Sequence, residues 1–235
     1  MTKADEPLPR ALEILWGDAP PSRRTRGLSR ERIVEAAIEL ADAEGLAALS
    51  MARLAQRLGC GTMSLYRHVS NKNELVTFML SAGTGPPPRQ MDRADWRGAV
   101  ADWALGLWEV YHRHPWIQQA ATAGPPADPG QLSWLDAGLA AMGGTGLSER
   151  DKLAAVMAIL HFTRGAAALD IEAAGHVEGP EYPALLRRVL DAERYPALAA
   201  ALEDGVFDAG DSDPLAEFQS GLRQLLDGIA ARVTP

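Results

Sequence analysis

The sequence predicts an all-α protein of two helical domains. Three observations lead there. Apolar residues recur at helical spacing in segment after segment, with capping residues at the ends. No alternating run is long enough for a convincing strand. A Gly/Pro-rich break from Gly83 to Pro88 divides a short N-terminal part from a longer C-terminal one. With 235 residues, 47% of them apolar and 23% charged, the chain can bury a sizeable core.

The elements follow in order. Residues 1–27 read as an extension, with prolines at 7, 9, 20 and 21 and a helical turn or two from Arg10 to Trp16. The first domain spans 28–82. Ser29 is a good N-cap and Gly45 a good stop, and Ile33, Ala36, Ala37, Leu40 and Ala41 form one apolar face between them. Ser50 caps a short helix from Met51 to Leu58, which Gly59-Cys60-Gly61 breaks. A third helix covers Thr62 to His68. Asn71 and Glu74 have the spacing of a capping box and open a fourth, running to Ser81.

The second domain spans 90–235. Helices are expected over Asp95 to His112, about 116–123, Gly130 to Met142, and from Ser148 to about Ala174. Shorter ones follow over Pro183 to Glu193 and Pro196 to Leu202. After an acidic loop at 203–213, a last helix runs from Pro214 to about Arg232.

Composition excludes several classes. The single cysteine, Cys60, cannot form an intrachain disulfide, a zinc ribbon or an iron–sulfur site, and a cytoplasmic location is expected. No continuous apolar run has the length of a membrane span, and Asp5, Glu6 and prolines stand where a signal peptide would be basic and then apolar. No Walker-type loop, Gly-x-Ser-x-Gly elbow or His-Glu-x-x-His pair occurs, so no enzymatic activity and no cofactor is expected.

Charge is distributed unevenly. The formal net charge is −8, yet residues 22–72 hold nine basic residues against five acidic ones. A basic segment on an acidic body suits a chain whose one end meets a polyanion. A solvated basic face is the alternative reading. Arg23, Arg24 and Arg26 read likewise, as a solvated tail or as an arm tracking a DNA backbone or minor groove.

Residues 51–68 form a helix-turn-helix pattern. In that motif the second helix enters the major groove of double-stranded DNA. Leu65 is apolar and belongs in the core. Thr62, Met63, Ser64 and Arg67 are free to face outward, where hydroxyls, a thioether and a guanidinium suit bases and phosphates. Tyr66 and His68 lie where the helix end meets the sugar-phosphate strand. Lys72 opens the next helix, where its charge and the helix N-terminus both favour an anion.

Arg32-Ile33-Val34-Glu35-Ala36-Ala37, Leu49-Ser50-Met51, Gly61 through Val69 and Lys72-Asn73-Glu74-Leu75 together resemble the DNA-binding domain of TetR-family bacterial transcriptional regulators. The resemblance adds Ser50 and Met51 to the DNA-contacting set. Further on, His161 to Gly165 and Phe218 to Ile229 resemble helices of the tetracycline repressor's C-terminal domain class. It implies a homodimer joined through His161, Arg164, Ala168, Phe218, Leu222, Leu225, Leu226 and Ile229. It also implies a repressor that leaves a palindromic operator when an unknown small-molecule inducer binds. Tetracycline-binding members hold a metal–drug complex with a histidine that the 120–124 stretch lacks, so no metal is expected.

Trp103, Trp108, Trp116, Trp134 and Phe162, with His112, are the candidate pocket lining, and core packing is the other reading of the aromatic residues. His112-Arg113-His114 reads either as a ligand cluster or as solvated residues at a helix C-terminus. A different class also remains open: an α-helical small-molecule-binding protein or enzyme whose helix-turn-helix is only structural.

Overall fold

The computed structural model describes residues 7–17, 27–89, 95–121, 125–175, 182–207 and 213–233. Among these residues there are twelve α-helices and no strand. They are α1 (Arg10–Trp16), α2 (Arg30–Glu44), α3 (Met51–Arg57), α4 (Thr62–Tyr66), α5 (Lys72–Gly83), α6 (Trp96–Arg113), α7 (Trp116–Ala120), α8 (Pro129–Ala141), α9 (Glu149–Gly175), α10 (Tyr182–Val189), α11 (Pro196–Glu203) and α12 (Pro214–Ala230).

Local chemistry sets most boundaries. The hydroxyls of Ser29 and Ser50 accept from the N–H of Arg32 and Arg53, and Asn71 accepts from the N–H of Glu74 at 2.9 Å. Each satisfies a donor the helix itself leaves orphaned, an effect of about 1 kcal/mol per cap. Gly59 adopts φ +65 in the α3–α4 turn, a conformation that disfavours any side chain. A short 3-10 turn, Leu46–Ala48, links α2 to α3 without any signal in the sequence. α10 stops at Val189, short of the expected Glu193, because Asp191 accepts from the N–H groups of Glu193 and Arg194 and draws the chain into a turn.

Helices α2 to α5 share one core. Ile33, Leu54, Leu65, Val69, Leu75 and Met79 are wholly buried within it. Leu65 fastens α4 to this core by its only buried side chain. Leu65→Ala should cost about 2–5 kcal/mol in urea unfolding, since it removes buried methyl groups and leaves a cavity.

In the second domain α9 packs along α6, α8 and α12. By length and composition alone α9 could cross a membrane, but here it is a packed helix carrying Arg164 and Asp170. Phe218, Leu222 and Leu226 of α12, a stripe at i, i+4 and i+8, are buried inside the chain. Arg97 of α6 ties α12 down through Asp227 and the Leu226 carbonyl.

Three features join the two domains. α5 continues from the first core into contact with α7 and α8. Asp42 of α2 accepts from His114 Nδ1 and Trp116 Nε1, each at 2.8 Å. Helix α1 lies against α5, where Arg10 pairs with Glu74 and Ser70, and the Trp16 indole N–H donates to the Ala127 carbonyl ahead of α8. The helices also approach closely at Gly130, where a Cβ would fall 2.2 Å from the Ser81 carbonyl oxygen.

Candidate nucleic-acid interface and ligand cavity

Around the buried Leu65, α4 presents a bare polar face. Thr62, Met63, Tyr66 and Arg67 are exposed, Met63 to 76%, while Ser64 and His68 are half-buried. An exposed thioether beside hydroxyls and a guanidinium has no packing role, and it suits a groove floored by bases. Arg67 is steadied by the Ser64 hydroxyl at 3.2 Å. Lys72 opens α5 with its ammonium near the Leu46 carbonyl, and Ser50 is exposed beside half-buried Met51.

The basic count overstates the cations that face this surface. Arg53 pairs with Glu44, Arg57 with Glu39, and Arg30 lies over the Phe78 ring. Arg32, Arg67 and Lys72 have no acidic partner among the described residues. Arg23, Arg24 and Arg26 lie outside the described residues.

The second domain holds a partly open cavity of about 190 Å³ between the end of α5, α6, α7, α8 and α9. Of the aromatic residues singled out in the sequence, Trp103 and Trp134 line it. Trp103 donates to the Trp134 carbonyl at 2.8 Å, and Trp134 donates to the carbonyls of Thr84 and Gly85. A Cβ at Gly138 would meet the Trp103 ring at 2.8 Å, so this glycine lets α8 and α6 close on each other.

Trp108, His112, Trp116 and Phe162 are not among the lining residues. Trp108 and Phe162 both stack on Phe218, filling the α6–α9–α12 core. Trp116 instead packs on Gly83 at the domain junction. Both ring nitrogens of His112 are engaged, by the Trp108 carbonyl and by Asp170. His114 is likewise taken by Asp42, and no metal-binding cluster occurs among the described residues.

The residues expected at a protomer interface divide. Phe218, Leu222 and Leu226 serve the chain's own core, because the apolar stripe of α12 turns inward. Ala168, Leu225 and Ile229 are half-buried. His161 and Arg164 both line the cavity, His161 from an exposed position. Sequence reasoning passed over Asp42, Thr84, Tyr111 and Gln131. The last three also line the cavity.

Burial pushes the Tyr111 phenol above its ordinary value, and the Arg164 cation pulls it partly back. The folded chain therefore holds that proton longer than the unfolded chain, whose tyrosine ionises near the ordinary value of about 10. This contribution to stability is full below that pH and is lost as pH rises through the higher folded-state value. Urea unfolding across alkaline pH should show the decline in wild type and a shallower one in Tyr111→Phe.

An exposed polar face on the helix-turn-helix of one domain and a cavity in the other suit a ligand-responsive DNA-binding regulator. Residues 33–77 match the family of bacterial regulatory proteins, tetR family, and residues 87–233 match the tetracyclin repressor-like C-terminal domain. The chain is 34% identical to the HTH-type transcriptional repressor DrrR1 of Streptomyces coeruleorubidus, over 99% of this chain and 89% of that protein. It is 30% identical to the class A tetracycline repressor protein of Escherichia coli, over 87% of this chain and 92% of that one. The solved structure of Streptomyces coelicolor ActR in complex with actinorhodin shares the fold, with a TM-score of 0.75 at 24% identity, covering 89% of this chain and 100% of that one. The chain belongs to the TetR family of transcriptional regulators, and it is a DNA-binding repressor of that family.

Proposed function

We propose that two copies of the chain bind one palindromic operator and release it when a small molecule fills the cavity. The observation that carries this reading is the span of α5. Lys72 begins it at the DNA-facing surface, and Thr84, just past its end, forms part of the cavity wall. At 1.5 Å per residue this one helix reaches about 18 Å between the two sites. Trp134 grips the carbonyls that follow α5, so a ligand displacing Trp134 moves the base of the helix that carries Lys72. Such a ligand acts by favouring an arrangement that fits DNA poorly.

The exposed face of α9 supports pairing. Ala154, Ala158, His161, Gly165 and Leu169 follow helical spacing along it, and Leu169 is 71% exposed. A Cβ at Gly165 would meet nothing within 4 Å, so a second backbone can approach there. A two-fold pairing would use the same patch on both copies. Ala168 of α9, with Leu225 and Ile229 of α12, extends the patch, and the two α4 helices would then read half-sites about 34–36 Å apart. Thr62, Ser64 and Met63 read base edges in this arrangement, while Arg67, Lys72, Ser50, Tyr66 and His68 contact the backbone. A regulator of chromosomal genes works in the bacterial cytoplasm, where its operator lies.

Selection of duplexes from a random library by the full-length protein tests the reading. Enrichment of an inverted repeat is expected, with Thr62→Ala and Ser64→Ala changing the preferred bases more than the affinity. No enrichment at physiological salt would overturn it.

A further inference from the structure

We propose that the cavity takes a flat aromatic molecule carrying an acidic oxygen, a carboxylate or phenolate, and that Arg164 is its counter-ion. This rests on the regulator reading above and names the ligand class of that same cavity.

The walls set the flat aromatic part. The indole N–H groups of Trp103 and Trp134 are already given to backbone carbonyls, so these side chains offer the cavity ring surface and no free donor. Leu107, Val110, Met157 and Leu160 add apolar surface, with Thr84 and Gln131 as the neutral polar side chains beside them. Such walls favour an offset-stacked ring. A dry cavity of about 150 Å³ admits benzene. At about 190 Å³ this one has room for a substituted ring.

The acidic oxygen follows from the other end. Arg164 enters half-buried from α9, and its guanidinium has the Gln118 carbonyl as its partner among the described residues. No aspartate or glutamate is among the described residues lining the cavity. A cation facing an apolar chamber without a counter-charge is costly, and a carboxylate or phenolate relieves that cost with short, charge-assisted bonds. Tyr111 lines the same chamber, close enough to Arg164 to feel its charge. Like any tyrosine phenol it is an O–H donor at neutral pH. Arg164 and Tyr111 place donors on this wall, so a ligand that brings an acceptor suits it.

The test is a matched pair of probes, 2-naphthoate and neutral 2-naphthamide, titrated into the full-length protein by calorimetry with tryptophan fluorescence alongside. Naphthoate should bind at least about tenfold more tightly than the amide in wild type. Arg164→Leu should bring the two within about twofold of each other while amide binding persists. Arg164→Lys should keep part of the preference, which separates loss of charge from loss of fold. Equal affinities in wild type, a preference that survives Arg164→Leu, or no binding of either probe would overturn the proposal. Operator binding by the same preparation tells the two readings apart. Intact DNA binding with no acid preference sinks the ligand class alone. Acid preference through Arg164 with no DNA binding supports the ligand chemistry and sinks the regulator reading.

Discussion

The double variant Arg67→Ala/Lys72→Ala is expected to bind operator DNA roughly 10²-fold or more weakly at physiological salt, with a visibly flatter salt dependence. Both side chains are exposed cations at the face of α4 and the start of α5, and neither has an acidic partner among the described residues. Each phosphate contact contributes about 0.9 to the slope of log affinity against log salt. Two residues in each of two copies thus remove about 3–4 from that slope. Fluorescence anisotropy of a labelled operator across a salt series reads both quantities. The loss should be nearly uniform across operator variants, because phosphates carry no sequence. Arg53→Ala and Arg57→Ala serve as contrasts. Their guanidinium groups are already engaged by Glu44 and Glu39, so they should move the slope much less. An unchanged slope in the double variant would remove Arg67 and Lys72 from the interface.

The second large effect is expected at Asp42. Its carboxylate holds two donors from the other domain, one of them the indole of Trp116, which is 2% exposed. Asp42→Ala removes the acceptor of that nearly buried N–H, although Asp42 itself lies at the exposed edge of the junction where water can partly replace it. With the His114 bond lost as well, urea unfolding should report a loss of about 1–2 kcal/mol. Asp42→Asn keeps an acceptor oxygen and should lose less. Glu39→Ala, which breaks only the exposed pair with Arg57, should stay within about 0.5 kcal/mol. Operator affinity should also fall in Asp42→Ala, because Trp116 packs on Gly83 near the end of α5 and helps to fix its direction. Equal stability of Asp42→Ala and wild type would show that the junction does not depend on this contact.

The helices were largely legible because their signals are local. Ser29, Ser50 and Asn71 cap residues three positions on, and an apolar face repeats every three or four residues. The polarity of α4 was legible too: one leucine among hydroxyls and cations defines which side is buried. The cavity was not. Periodicity places Trp103, Trp108, Trp116, Trp134 and Phe162 all on inward faces, and an inward face can meet a void, a neighbouring ring or a domain junction. Which one it meets depends on partners far away in the chain, such as Phe218 for Trp108 and Gly83 for Trp116. Asp42 looked like any surface acid on α2, since its partners lie 72 and 74 positions away. The likeness of α9 to a known helix points Arg164 to a subunit interface, and in the fold the residue also lines the cavity. The basic segment misled in the opposite sense, because intrachain pairing of Arg53 and Arg57 cannot be read from counts of charge.

A hydroxyl-radical footprint on the selected operator addresses the central claim most directly. Two copies of α4 facing one duplex should protect two patches on the same side of the helix, one turn apart, with symmetry matching the inverted repeat. A lone protected patch, or even protection along the whole duplex, would contradict it.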